Sequence, residues 1–300
     1  MASHCLTNMM TSNQLKEPLS FEDQARTLLE RGLTDVSLID LEEYLQGVNY
    51  YRLNAYFHDE LDPSTNLFPI GFSFKTLQAR YEIDAWLRRL ILLALEPIEI
   101  KVRTQLAYWS AHIAGSDMFY DSNNFTNQRR YLEVFDSFNR VRVTSDPKDP
   151  VLSHHNKKYS GRFPIWVVVE YLSFGNISKL LAISQSIVSN YVSSNLNGIE
   201  RPLLISWVHS ITVLRNISAH YGFLFNRSFS VKPKKAYWER YQQFSNNNKL
   251  FPFLIIIKHM SAPQDWIRFY DELDQKISSS PEFLLSAYSF PVQWKSYLSP

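Results

Sequence analysis

From a serine at position 73, residues Leu77, Tyr81, Asp84, Arg88, Ile91, Leu95, Ile98, Val102, Leu106, Trp109 and Ile113 follow one another at steps of three or four. That spacing returns to one face of an α-helix at every turn, and nine of the eleven positions are apolar or aromatic. A stripe of this length demands a long amphipathic helix or helix pair, opened by Ser73 and closed by Gly115. Pro97 falls inside it and is expected to kink or divide it, because proline lacks an N–H and crowds the preceding turn. The two charged members of the stripe, Asp84 and Arg88, stand four apart, as do Glu99 and Arg103, and both read as ion pairs within the helix.

Shorter helices are expected on either side. Ser20-Phe21-Glu22-Asp23 sets a capping serine and two acids at the start of a helix that Gly32 closes. A second covers 38–46 and stops at Gly47, and 49–56 is aromatic-rich with a helical pattern. A helix over 128–142 leads into the polar stretch TSDPKDPVLSHHNKKYSGRFP, read as a long surface loop. Pro164 starts PIWVVVEYLSF, Gly175 breaks it, Asn176 caps a helix to about 189, and another helix runs over 202–218. The run 254–257 suits a strand or a buried helix equally, and 263–277 is helical. The expected fold is all-α. A flexible leader spans 1–19, an N-terminal helical region 20–72, a helical core 73–230 with a basic loop insertion at about 140–163, and a C-terminal extension 231–300.

Composition narrows the chemistry. With 300 residues, 45% hydrophobic and 20% charged, the chain can bury a large core. Only 8 glycines are present, with no Gly-x-x-x-x-Gly-Lys-Ser/Thr loop and no Gly-x-Ser-x-Gly elbow. Cys5 is the single cysteine, which excludes a disulfide scaffold or a multi-cysteine zinc site and fits a reducing cytoplasm. None of the eight histidines stands at ligand spacing from a cysteine, His-Glu-x-x-His is absent, and His154 and His155 read as solvated loop residues, so no metal or other cofactor is expected. The longest apolar run, 90–95, is far short of the roughly 20 residues of a membrane span. The first residues lack the basic start and apolar stretch of a secretory signal. A soluble, cytoplasmic protein without a membrane partner is expected.

The net charge of +2 hides a segregation. Residues 1–60 carry four Lys/Arg against ten Asp/Glu, whereas 201–260 carry nine Lys/Arg against Glu239 alone, and 140–162 carry six against Asp146 and Asp149. Clustered cations are the footprint of phosphate binding, although a solvated basic face has the same composition. Within the basic region lies Arg215-Asn216-Ile217-Ser218-Ala219-His220-Tyr221. An arginine offers a planar fork for phosphate oxygens and for the charge of a phosphoryl transition state. A histidine exchanges protons near neutral pH, and an asparagine orients either group. On a regular helix a spacing of five is about 140°, so Arg215 and His220 share no face unless the helix ends between them or two chains each contribute a copy. The same residues also suit a plain C-terminal helix cap.

Four segments resemble the AbiD/AbiF abortive-infection family of the HEPN superfamily: LLERGLTDVSLIDLEEYLQGVNYYRLNAYF (28–57), SFKTLQARYEIDAWLRRLILLALEPIEIKVRTQLA (73–107), PIWVVVEYLSFGNISKLL (164–181) and VLRNISAHYGFLFNR (213–227). The family signature Arg-Asn-x-x-Ala-His corresponds to Arg215, Asn216, Ala219 and His220. The resemblance implies a HEPN-like helical bundle, metal-independent endoribonuclease activity acting as a toxin in phage defence, a homodimer that brings two motifs together, and control by a structured noncoding RNA. Where the family often continues with a second histidine and an arginine, this chain has Tyr221 and Phe223, and Ser218 replaces a frequent cysteine. No role carries over to 231–300.

On this resemblance Arg215, Asn216 and His220 are the expected catalytic residues. Arg227, Lys232, Lys234 and Lys235 are candidates for holding RNA backbone, and Tyr221 or Phe223 for stacking a base. Glu99 and Arg103 are candidates for a polar residue beside the motif. The alternatives are an RNA-binding regulator that does not cut, and a protein-interaction scaffold.

Overall fold

A computed structural model of the chain describes Leu15 and residues 17–145, 148–234, 248–279 and 283–300. The protein is all-α: among the described residues there is no β-strand, and only the isolated bridges Thr34 to Ser73 and Phe125 to Ser184 have strand-like pairing. The chain divides into two compact units, 1–82 and 83–300. Most of the leader lies outside the described residues.

In the first unit, α1 (Phe21–Glu30), α2 (Leu38–Gly47) and α3 (Tyr50–Asn54) each begin at a polar cap. Ser20 Oγ accepts the Asp23 N–H at 3.0 Å, Ser37 Oγ that of Asp40 at 3.2 Å and Asn49 Oδ1 that of Tyr51 at 2.8 Å. Helix α1 packs on α2, burying Ala25 and Leu28 of one and Leu41 and Leu45 of the other. Gly32 turns the chain out of α1 with φ +93°, a conformation that favours glycine. Arg80 is buried here, and its charge is matched: Nη1 donates to the Tyr56 carbonyl at 2.9 Å and Nη2 pairs with Glu60 at 2.9 Å.

The stripe forms one long helix, α4 (Phe74–Ala114), and its Leu77, Ile91, Leu95, Ile98, Val102 and Leu106 are buried. Pro97 does not divide it. Its missing N–H frees the carbonyl of Leu93, and the Leu93 side chain is 63% exposed, so that carbonyl lies on a side of the helix that water can reach.

The second unit adds α5 (Gln128–Thr144), α6 (Pro150–Lys158), α7 (Ile165–Tyr171), α8 (Phe174–Ile183), α9 (Ser186–Asn195), α10 (Arg201–Ala219), α11 (Phe251–Met260), α12 (Pro263–Ser278), α13 (Phe283–Ala287) and α14 (Trp294–Leu298). Helix α10 is central, packing on α8, α9 and α11, while α5 packs on α7 and α8. Leu203, Leu204, Trp207, Val208, Ile211 and Leu214 of α10 are buried, and each such side chain contributes about 1.5–3 kcal/mol. The ambiguous run 254–257 belongs to α11, whose residues from Phe251 to Ile257 are all buried, as expected of a helix that is apolar all round.

Three local expectations change. The polar stretch after α5 contains a helix, α6, because Asp149 Oδ1 accepts the N–H groups of Val151 and Leu152, Pro150 occupies the first turn without needing a donor partner, and Leu152 is buried. The break in PIWVVVEYLSF falls at Leu172 and Ser173; Ser173 Oγ caps α8 by accepting the Asn176 N–H at 3.2 Å, and Gly175 sits within the first turn. A further break at Ser184, which pairs with Phe125, separates α8 from α9.

Candidate functional site

Helix α10 stops at the motif. The His220 N–H donates to the Asn216 carbonyl at 3.0 Å, the Tyr221 N–H to Ser218 at 3.3 Å and the Gly222 N–H to Ile217 at 2.8 Å. The last two are the paired bonds of a Schellman ending, whose left-handed residue is usually glycine. Here that residue is Tyr221, at φ +58° and 68% exposed. Gly222 follows because a Cβ there would lie 3.0 Å from Ile217 Cγ2 and 3.2 Å from the Ile217 carbonyl oxygen. His220 is therefore the cap residue, with its side chain exposed and without a hydrogen-bond partner among the described residues.

Arg215 and Asn216 lie in the last regular turns of α10 and are half-buried. Arg215 Nε pairs with Glu99 Oε2 at 3.2 Å, and its Nη1 reaches Asn216 Oδ1 at 3.5 Å. The other oxygen of Glu99 takes Arg103, whose Nη2 lies 2.5 Å away. Arg103 is anchored in turn by the carbonyls of Val169 and Leu172, the latter at 2.7 Å, at the end of α7. Glu99 thus joins two guanidinium groups, and α4, α7 and α10 are tied together behind the motif. Asn216 and Arg215 are adjacent, but the structure does not bring His220 onto the Arg215 face: five helical residues separate them by about 7–8 Å along the axis and about 140° around it.

A second network fixes the turn that follows. Asp84 is fully buried and accepts the Leu224 N–H at 3.0 Å, the Tyr288 hydroxyl at 3.0 Å and Arg88 Nη1. Arg88 Nη1 also faces the Gly222 carbonyl at 3.4 Å. A buried carboxylate is tolerated only with such donors, so this pair clamps both strands of the turn beyond His220 and draws in the C-terminal Tyr288. The ion pair was legible from its spacing; its partners at 222, 224 and 288 were not. The available signal was two charges placed on an otherwise apolar stripe.

The RNA-binding candidates are spread apart. Arg227 is half-buried with its guanidinium 4.7 Å from the Phe223 ring centre, and its buried Nε has no hydrogen-bond partner. Burial pushes its pKa down from the usual arginine value, against the attraction of Asp84. Phe223 therefore carries Arg227 while remaining partly exposed. Lys232 is exposed. Lys234 lies beside Ser206 and Trp207, roughly 13–20 Å along α10 from the motif. Lys235 lies outside the described residues. His155, expected in a solvated loop, stacks on Phe163 at 5.2 Å and contacts the Val151 carbonyl through Nδ1 at 2.9 Å. Among the described residues no group of three His, Cys, Asp or Glu side chains gathers as a metal site would, and no helix is long and apolar enough to cross a membrane.

The fold and the site define an all-helical protein with an Arg-Asn-x-x-Ala-His motif at an open helix end, braced from behind by one buried and one half-buried ion-pair network. A family model described as Abi-like protein matches residues 43–226, more than half of the chain. The protein belongs to that abortive-infection family. Comparison with curated proteins and with solved structures gives no match.

Proposed function

We propose that this protein is an abortive-infection endoribonuclease of the AbiD/AbiF type in the HEPN superfamily, a homodimer that cleaves RNA without a metal ion and is controlled by a structured noncoding RNA. The observation that carries the reading is the braced motif. Arg215 is held by Glu99, the turn after His220 is held by Asp84 and Arg88, and the His220 imidazole is exposed at the end of the same helix. Membership of an abortive-infection family supports the biological setting.

In the reaction, His220 of one chain takes the 2′-hydroxyl proton as O2′ attacks the adjacent phosphorus. The bond from phosphorus to O5′ breaks, and the leaving oxygen receives a proton from a second imidazole. The products are a 2′,3′-cyclic phosphate and a 5′-hydroxyl. Arg215 stabilises the charge on the pentacoordinate phosphorus, and Asn216 holds Arg215 toward the phosphate. Because Arg215 and His220 do not share a face of α10, a second copy supplies the complementary group.

The test is cleavage of labelled RNA by purified protein in chelator. His220→Ala lowers the rate by about two to four orders of magnitude. An undiminished rate in that variant, or complete dependence of the wild type on magnesium, refutes the assignment. A second reading, a regulator that binds RNA without cutting, is favoured by one observation: no described residue orients the His220 ring. Wild-type protein that binds RNA tightly yet leaves it intact would favour that reading.

A further inference from the structure

A cleft of about 700 Å³ opens in the second unit beside the first half of α10, at the end away from the motif. Cations from four separate stretches line it: Arg130 of α5, Lys179 of α8, Arg201 of α10 and Lys234 of the segment beyond the motif, with His209 beside them. Glu133 is the one acid among the lining residues, and it pairs with Lys179 at 3.1 Å. Among the described residues Arg201 spends only Nε, donated to Ser189 Oγ at 2.6 Å, and neither Lys234 nor Arg130 forms an ion pair with any of them. Nor is Lys234 there by accident of a loose chain. Its N–H donates to Ser206 Oγ at 2.8 Å and its carbonyl accepts Trp207 Nε1 at 2.9 Å, so its backbone is pinned against α10 from both sides.

With Glu133 balancing Lys179, three further cations still converge on one concavity, which costs repulsion unless another anion shares the space. The first residues of α10, Arg201 and Pro202, line the cleft as well, so the positive end of that helix adds to the field. Pro202, Ile205 and Ala182 supply an apolar wall. A cationic rim over an apolar wall, in a space of this size, matches a phosphate group joined to a sugar and a flat base.

We infer that this cleft binds nucleoside-phosphate units, with Arg130, Lys179, Arg201 and Lys234 holding the phosphates and the Pro202–Ile205 wall taking the sugar or base. The site is distinct from the motif and does not rest on the cleavage reading. Two sources share this chemistry, the backbone of an RNA strand and a free nucleotide.

The experiment uses the full chain carrying His220→Ala, so that the probe survives and the result is independent of whether the protein cuts. Fluorescence anisotropy is read with an unstructured 12-nucleotide RNA and, separately, with a fluorescent ATP analogue. The triple variant Arg130→Ala, Lys179→Ala and Lys234→Ala removes only exposed cations, and an unchanged melting curve confirms its fold. It weakens binding at least tenfold, and for RNA it lowers the slope of log affinity against log salt by about two, at roughly 0.7 per single-strand phosphate. A charge-matched control, Lys75→Ala, Arg89→Ala and Arg268→Ala, stays within about twofold. Loss confined to RNA assigns a strand backbone, and loss of the nucleotide probe assigns a free nucleotide. Equal losses in the cleft and control variants, an unaffected cleft variant, or no binding of either probe would overturn the inference.

Discussion

Replacing Asp84 by asparagine keeps the shape of the side chain and removes its charge. Arg88, itself buried, then loses its counter-charge: Oδ1 still accepts from the Leu224 N–H and the Tyr288 hydroxyl, so the amide nitrogen takes the position that faced Arg88 Nη1 and sets donor against donor there. Removing one partner of a buried pair costs about 3–5 kcal/mol. For a unit of this size each kcal/mol moves the midpoint by roughly 2–4 °C, so Asp84→Asn should lower Tm by about 6–20 °C. Tyr288→Phe removes a single hydrogen bond to a charged acceptor and should cost about 1.5–3 kcal/mol. Substituting both charges, Asp84→Leu with Arg88→Met, should recover much of the loss, because two apolar groups leave no unpaired charge. Urea and thermal unfolding of the wild type, these three variants and the single substitutions Asp84→Leu and Arg88→Met measure all of this. Hydrogen exchange in the Asp84→Asn protein should accelerate first at residues 220–226. A loss below about 1 kcal/mol in Asp84→Asn, or strictly additive single effects, would refute the idea that this carboxylate is the anchor of the turn.

Other outcomes follow from the same reasoning. Tyr221→Gly should stabilise the protein by about 1 kcal/mol in urea unfolding, since glycine adopts the left-handed position without strain; a loss of stability would show that the tyrosine ring contributes more than its backbone costs. If the nuclease reading holds, Glu99→Gln should slow RNA cleavage about tenfold while leaving RNA affinity within about twofold, because it loosens Arg215 without removing a cation. Burial, reinforced by Lys258, pushes His259 down to about 4. The unfolded chain then binds the proton first, so stability falls as pH drops from about 6.5 to about 4 and levels off below. Allowing for partial exposure, the pH 7 to pH 4.5 loss should be about 1–2 kcal/mol smaller in His259→Gln than in wild type, measured by urea unfolding. Asp149→Ala should raise amide exchange across α6 roughly tenfold by removing its cap, with a smaller rise at the end of α7, where the Tyr171 hydroxyl loses the same carboxylate, and none in α11 or α12.

Local chemistry made much of the helical framework legible. The steps of three and four from Leu77 to Ile113 became α4, and the cap at Ser20 fell where a serine followed by two acids placed it. Helix α6 was missed because the stretch was weighed by its polarity, while the Asp149-Pro150 start and the buried Leu152 carried the contrary signal. Gly175 drew attention as a breaker, yet Ser173 two residues earlier had the hydroxyl that starts a helix. For the site, the pairs Asp84–Arg88 and Glu99–Arg103 were visible in their spacing; the resemblance set Glu99 or Arg103 beside the motif, while the partners of Asp84 at 224 and 288 had no signal. Arg215, Leu224 and Tyr288 reach those carboxylates across more than a hundred residues, and no local pattern encodes a contact of that range. The cleft was hidden for the same reason, since its cations come from four stretches that only packing assembles.

The hydroxyl of Tyr288 has one more implication. The family match closes at residue 226, yet a donor to Asp84 comes from beyond it, and α11 covers a side of α10. A fragment cut at the edge of the matched region would expose that apolar flank and strip a ligand from the carboxylate beneath the motif. Anyone trimming this chain for expression should keep its tail, and a natural deletion there would be felt at the opposite end of the sequence, in the first third of the longest helix.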